Sequence, residues 1–270
     1  MNEVDLLAQN IRSLYGTVRR ARGCYLYTWK NVRLTDLYQG GGRAILGWGG
    51  GSAFTVLKNV LSRGATGFFA TDCEPQLQRA VSKLLDSARE VQVFHTRSEA
   101  ISAATAAFPD GTSFYRPWQN DSPDWSTVPA LIVVPPLPWT ADIFIVAYSS
   151  ADLDDAARSA MQERAACHLA APISAAVTRA IYNLIAELPL RKEKHFFIYD
   201  KQLRPYWQRR GPYLHPKVPK SEYQAFVRHC LAQHLVVSPV YEEPSIVPFG
   251  ANAGDLTLLL RNPFSYKELD

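Results

Sequence analysis

The sequence has few of the features that mark membrane, secreted and zinc-binding proteins. It contains no apolar stretch of about 18 residues, so no membrane span is expected. Residues 1–10 include Glu3 and Asp5 but no basic residue, and they do not match a secretory signal. The cysteines form no Cys-x-x-Cys pair, standing far apart as Cys24, Cys73, Cys167 and Cys230. We therefore expect no disulfide framework, no zinc site and a reduced, cytoplasmic setting.

Charge of one sign is also scarce. Lysine and arginine number 29 against 25 acidic residues, and the formal net charge is +4 over 270 residues. This balance predicts no nucleic-acid partner. One segment interleaves basic and aromatic residues, namely Arg204, Tyr206, Trp207, Arg209, Arg210 and Tyr213. Such a set could stack on bases, but we interpret it as a surface loop that packs on a partner subunit.

The glycine-rich stretch 40–51 ends in a segment, 47–52, that does not match the known phosphate-binding fingerprints. A dinucleotide fingerprint needs a third spaced glycine after a buried strand, and Ser52 occupies that position. A P-loop needs Gly-Lys-Ser/Thr, which is absent. We interpret the stretch as a turn that leads into a helix at residue 53. The histidines show no ligand spacing with acids or cysteines, so no metal site is expected.

Predicted helices and strands alternate through most of the chain. The helical periodicity covers 3–20, 53–63, 74–88, 99–108, 152–188 and 221–234. Strand-like runs cover 91–94, 130–134, 143–148, 196–199 and 235–240. The runs at 130–134 and 143–148 are wholly apolar, as in strands buried on both faces. The pattern predicts an α/β fold with a parallel-rich sheet flanked by helices.

The segment 94–100 combines the end of a strand with the start of a helix. Free N–H groups at such a helix start could hold an anion, helped by the helix dipole and by Arg97. The alternative is an ordinary cap formed by Ser98, with Arg97 in solvent. The sequence alone supports both interpretations.

The region 22–108 carries an ordered series of motifs. Two short strands at 22–36 precede Gly-Gly-Gly-Arg-Ala-Ile-Leu-Gly at 40–47, a helix ends at Arg63-Gly64, and 93–100 reads Val-Phe-His-Thr-Arg-Ser-Glu-Ala. In this order the motifs resemble class III (glutamate-1-semialdehyde aminomutase-like) aminotransferases of the fold type I pyridoxal-phosphate superfamily. The last motif falls where the family has V-F-x-x-S-G-T-E-A. Family chains are longer, so the resemblance implies a shortened, degenerate relative.

The departures from the family fall on its cofactor contacts. A family lysine forms a Schiff base with the cofactor, and this chain has no lysine between Lys83 and Lys192. Aligning 141–148 with the family's lysine strand places Tyr148 at the lysine position. Arg97 replaces the glycine of Ser-Gly-Thr, and the acid that pairs with the pyridinium nitrogen has no counterpart.

The resemblance therefore implies that other residues stand where the family contacts its cofactor, and that no catalytic residue is present. Thr96, Arg97 and Ser98 form the candidate anion site, and Tyr148 is the candidate replacement of the lysine. We expect no cofactor, because without the lysine pyridoxal phosphate is not expected to attach covalently.

The resemblance also implies an organisation and a role. Residues 1–39 join 191–270 in a smaller α/β part, beside a large α/β domain at 40–190. We expect a non-catalytic protein with a binding or scaffolding role, assembled as a homodimer, because the family builds its sites between two subunits. One alternative is an enzyme that performs other chemistry in the old cleft with Arg97, Ser98 and Tyr148. The other is a subunit that acts with a full-length aminotransferase partner.

Overall fold

The computed structural model describes residues 2–67, 69–139, 142–152, 159 and 167–266. The chain divides into two compact units. The terminal unit consists of Met1–Gly49, Trp118–Asn120 and Arg191–Asp270. The central unit consists of Gly50–Pro117 and Asp121–Leu190. The glycine-rich stretch as far as Gly49 thus belongs to the terminal unit, whereas we expected the large domain to begin at residue 40.

Helices and strands alternate in the central part of the chain. The strands are β1 (Val18–Arg22), β2 (Tyr25–Thr28), β3 (Arg33–Asp36), β4 (Glu90–Phe94), β5 (Thr112–Phe114), β6 (Ala130–Val133), β7 (Phe144–Tyr148), β8 (Trp207–Arg210), β9 (Tyr213–Pro216), β10 (Leu235–Val236) and β11 (Ser245–Ile246). The α-helices are α1 (Glu3–Tyr15), α2 (Gly51–Ser62), α3 (Cys73–Leu84), α4 (Arg97–Ala107), α5 (Ala171–Glu187), α6 (Lys194–Phe197), α7 (Asp200–Leu203), α8 (Lys220–Ala232) and α9 (Leu258–Arg261). Of the helix expected over 152–188, Ala171–Glu187 forms α5, and residues 153–158 and 160–166 lie outside the described residues. Among the helices that are described, none has the length and apolar character to cross a membrane.

The central unit is built on a four-stranded sheet in the order β4-β7-β6-β5. Strands β4, β5 and β6 run in the same direction, and β7, between β4 and β6, is antiparallel to both. The expected α/β fold is confirmed, with a mixed sheet in which β5–β6 is the parallel pair. Only residues 134–143 connect β6 to β7. Parallel neighbours need a crossover of roughly a dozen or more residues, so this short connection returns the chain antiparallel.

Apolar packing holds helix α4 against this sheet. Strands β6 and β7 are buried at every position, as their continuous apolar runs predict. The buried face of α4 consists of Ala100, Ala103 and Ala104, which pack in one cluster with Ile132 and Val146. Helices α2 and α3 both pack against α5. Since successive residues of a strand point to opposite faces, the burial of every residue of β6 and β7 shows that both strands are covered on both faces.

The terminal unit contains two further sheets. Strands β1, β2 and β3 form an antiparallel meander, and β10 adds to β3 in parallel, with Leu235 opposite Thr35. The second sheet has the antiparallel order β11-β9-β8. One large apolar cluster joins α1, α8 and these strands, and Trp207, Tyr223 and Phe226 are among its fully buried members.

The segment at 204–213 contains β8 and its turn into β9, and its aromatic side chains are buried, which corrects its interpretation as a surface loop. Tyr206, Trp207 and Tyr213 are all buried in the terminal unit. The Arg209 guanidinium donates to Asp200 at 2.6 Å and also pairs with Glu193. The run 196–199, predicted as a strand, instead includes the end of α6.

A buried carboxylate fixes the start of the glycine-rich stretch. Oδ1 of Asp36 accepts hydrogen bonds from the backbone N–H groups of Tyr38 and Gln39 at 2.9 Å, and Oδ2 accepts from Trp48 Nε1 at 2.8 Å. Burial raises the pKa of Asp36, and the hydrogen bonds lower it. Burial is the larger effect, so the pKa is raised to about 6. At Gly47 an added Cβ would lie 3.3 Å from the backbone of Gly23, so the stretch forms a close turn before α2.

Candidate functional site at the sheet edge

The carboxyl ends of β4, β5 and β6 lie at one edge of the central sheet. These strands share one direction, so the residues that follow them meet at that edge. In open α/β sheets ligands bind outside the carboxyl ends of the strands. Thr96, Arg97 and Ser98 follow β4 there, which makes this edge the candidate site.

The helix start at this edge is closed by its own side chains. Thr96 is the N-cap of α4, and its Oγ1 accepts from the Glu99 N–H at 3.2 Å. The Glu99 carboxylate in turn accepts from the Thr96 N–H at 3.2 Å. This reciprocal pair is a capping box, which satisfies two donors that an anion would otherwise use. The cap is therefore Thr96, not Ser98 as one interpretation of the sequence had it.

The two residues after the cap have contacts of their own. The Arg97 guanidinium lies 4.8 Å from the centre of the Phe114 ring, on β5. Ser98 is exposed, and its Oγ is 3.3 Å from Thr96 Oγ1. The carboxylate of Glu99 also places negative charge at the helix start, which disfavours a second anion. The three residues lie at the helix start in an arrangement that favours capping, and the anion site stays a prediction.

Tyr148 lies at the opposite end of the same strands. In the β4–β7 pair Phe94 faces Phe144, whereas Tyr148 faces Glu90. Four residues of strand at about 3.4 Å each place Tyr148 roughly 13 Å along the strand from the edge. The structure therefore does not bring Tyr148 together with Thr96, Arg97 and Ser98. Its ring is buried beside Phe108.

The other strands bring no amine to the edge. Strand β6 is followed by Val134, Pro135 and Pro136. The lysines of the central unit are Lys58 on α2 and Lys83 on α3. Lys83 lies 5.7 Å from the centre of the Tyr182 ring on α5. No three histidine, cysteine or acidic residues gather as a metal site within the described residues.

Sequence comparison gives one curated relative of unassigned role. No protein-family model matches the chain. A protein of Treponema pallidum (strain Nichols), described as "Uncharacterized protein", is 29% identical over 285 residues, covering 87% of this chain and 89% of the relative.

Structure comparison identifies the fold. The ornithine δ-aminotransferase of Plasmodium falciparum superposes with a TM-score of 0.64 at 10% identity, covering 97% of both chains. The ornithine aminotransferase of Toxoplasma gondii, in a structure described as having partial occupancy of PLP at the active site, superposes with a TM-score of 0.60 at 11% identity, covering 95% of this chain and 93% of that one. The chain therefore has an aminotransferase-like fold.

The comparison corrects our expectation that the chain has no cofactor. The similar folds are aminotransferases, one of them described with PLP in its active site, so pyridoxal phosphate is the cofactor to which this fold points. The residues at the sheet edge fit that cofactor poorly. The helix start is already capped by Glu99, and residues 84–191 contain no lysine to form an imine with an aldehyde.

Proposed function

We propose that this chain is an aminotransferase-fold protein with a binding or scaffolding role that does not transaminate by itself. The observation that carries the proposal is the sheet edge, where the carboxyl ends of β4, β5 and β6 meet without a lysine. Transamination needs an amine that holds the cofactor aldehyde and then moves a proton. The central unit has lysines only on α2 and α3.

The geometry gives little support to other chemistry in the old cleft. That alternative needs Arg97, Ser98 and Tyr148 to act on one substrate. Tyr148 faces Glu90 near one end of β4, whereas Arg97 and Ser98 follow the other end. A separation of roughly 13 Å along the strand is several times the reach of a hydrogen bond. A binding role does not require Arg97, Ser98 and Tyr148 to lie close together.

The test is a transamination half-reaction. The purified chain is mixed with pyridoxal phosphate and L-ornithine, the amino acid named for the similar structures. Conversion of the cofactor from its aldehyde to its amine form is followed by absorbance. We expect the rate to equal that of free cofactor without protein. Saturable conversion above that rate would contradict the proposal, and Lys58→Arg and Lys83→Arg would then show whether a central-unit lysine is responsible.

We also propose that the chain is a homodimer, since the resemblance implies sites built between two subunits. The glycine-rich stretch 40–51 is the expected contact. Sedimentation should show a species of twice the 30.2 kDa chain mass at micromolar concentration. Amide exchange of 40–51 should then accelerate on dilution below the dissociation constant. A monomer at tens of micromolar would contradict this, and a monomer that joins a full-length aminotransferase would support the subunit alternative.

A further inference from the structure

The terminal unit contains a polar cavity that the proposed function does not use. Its volume is about 500 Å³, within the usual range for small-molecule sites. The lining residues come from β3, from the turn after α8, and from residues 254–261, which end in α9: Arg33, Thr35, His234, Gly254, Asp255, Thr257, Leu258 and Arg261. The lining contains two arginines and one aspartate, so its net charge is positive.

Arg33 is held in place at the wall of this cavity. Its Nη2 donates to Asp255 Oδ1 at 2.6 Å, and its guanidinium lies 4.6 Å from the centre of the Tyr25 ring. The Tyr25 hydroxyl donates to the other oxygen of Asp255 at 3.0 Å. Both oxygens of Asp255 are therefore engaged, and its charge is largely compensated by Arg33. The guanidinium keeps further N–H donors in a fixed plane.

Arg261 supplies a second positive charge from the end of α9. It is exposed, and it forms no ion pair with any residue in the part of the chain that the structure describes. A second positive charge that pairs with no described acid, beside the fixed Arg33 guanidinium, favours an anion in the cavity. Thr35 and Thr257 add hydroxyl groups to the same lining.

The sheet next to the cavity extends this positive character. Residues that face each other across antiparallel strands lie on one face of a sheet. Arg20 faces Tyr27, which faces Arg33, and Arg22 faces Tyr25. Arg20 and Arg22 thus share the sheet face of Arg33, and both are exposed. The opposite face carries core residues such as Leu26 and Leu34.

We propose that this cavity binds a small organic anion through a phosphate or carboxylate group held between Arg33 and Arg261. Guanidinium groups match both kinds of oxyanion with paired N–H donors. Arg20 and Arg22 attract the anion toward the cavity from the adjoining sheet face. The site lies wholly within the terminal unit and does not depend on the role of the central sheet edge.

The experiment is calorimetric titration of the full chain with inorganic phosphate and, separately, with succinate, at constant ionic strength. We expect saturable binding of at least one probe, with a dissociation constant on the order of 1 mM. Arg261→Gln should weaken it at least about tenfold, as expected for loss of a charge-assisted hydrogen bond. Arg33→Gln should act in the same direction. Binding of phosphate alone, or of succinate alone, identifies which oxyanion the site takes.

Lys201→Gln is the matched control, because it removes one exposed positive charge of the same unit outside the cavity lining. It should change the affinity by less than about twofold, since exposed charges at a distance are screened by salt. Arg261→Gln decides the outcome, because this substitution breaks no ion pair with any residue that the structure describes. Three results would overturn the proposal: unchanged binding in Arg261→Gln, a loss of affinity in Lys201→Gln equal to that in Arg261→Gln, or no saturable binding of either probe.

Discussion

The hydroxyl of Tyr148 donates to Oε2 of Glu90 at 3.1 Å, across the β4–β7 pair. The tyrosine ring is buried with Phe108, while Glu90 is exposed at the start of its strand. Tyr148 therefore acts as an apolar core residue whose polar tip reaches the sheet surface. The rest of β7 consists of Phe144 and small or aliphatic residues. A tyrosine is tolerated at the end of the strand because its hydroxyl group reaches Glu90 at the surface.

Replacing Tyr148 by phenylalanine tests this structural role. We expect Tyr148→Phe to lower the free energy of unfolding by about 1 kcal/mol, because one hydrogen bond is lost and the exposed Glu90 can bind water instead. Urea denaturation measures the change. Tyr182→Phe, also in the central unit, is the control and should have less effect. Loss of pyridoxal phosphate binding at unchanged stability would instead indicate that Tyr148 serves in place of the lysine.

Gly211 should be the least replaceable glycine of the terminal unit. Its φ is +60°, and an added Cβ would lie 2.0 Å from the carbonyl oxygen of Trp118. Gly250 has φ of +79° but no atom within 4 Å of that Cβ position. Gly250→Ala should cost roughly 1 kcal/mol from backbone strain alone. Gly211→Ala should cost at least about 2 kcal/mol more, since backbone must move. Equal thermal shifts in the two variants would show that the clash is relieved.

Asp36 should make the terminal unit less stable as pH rises. Its pKa is raised from 3.8 to about 6 in the folded chain, so the folded state binds the proton more tightly. The stabilisation is complete below pH 3.8 and is lost as pH rises through about 6. The loss is on the order of 3 kcal/mol. Unfolding free energies measured between pH 4 and 7.5 check this.

Asp36→Asn provides the comparison for that measurement. The variant should be less stable overall, because its amide group would face the Trp48 Nε1–H donor. It should also lack the decline between pH 4 and 7. The same decline in both proteins would assign the pH dependence to another group.

Arg89 should be critical for the loop before β6. It is buried, and its guanidinium donates to the carbonyl oxygens of four loop residues, at distances of 2.6 to 3.1 Å, namely Trp125, Ser126, Val128 and Pro129. Arg89→Met should lower the free energy of unfolding by about 3 kcal/mol or more, because these bonds are charge-assisted. Arg63→Met, at an exposed position, should change it by less than about 0.5 kcal/mol. A small effect of Arg89→Met in urea denaturation would mean that water replaces the guanidinium.

Much of the central unit could be predicted because its apolar runs are long and unambiguous. The runs at 130–134 and 143–148 form β6 and β7. The connection between them is too short for a parallel crossover, so the two strands pair antiparallel. The run at 196–199 was mispredicted, since a short apolar run suits a helical turn as well as a strand.

The site could be predicted only in part. Thr96, Arg97 and Ser98 follow a strand and open a helix, which local sequence reveals. The position of Tyr148 depends on its pairing with Glu90, which is a tertiary relationship. The cavity beside Arg33 combines residues more than two hundred positions apart, such as Arg33 and Arg261, and no local pattern marks it.

The parallel pairing of β10 with β3 has a consequence for the order of synthesis. Leu235 pairs with Thr35, so β3 lacks its parallel neighbour until a strand 200 residues further along the chain has been synthesised. The whole central unit, together with Trp118–Asn120 of the terminal unit, is translated in between. A nascent chain therefore leaves the ribosome with Leu26 and Leu34 uncovered until α8 and β10 arrive. During that interval the β1–β3 meander exposes apolar surface through which nascent chains can aggregate.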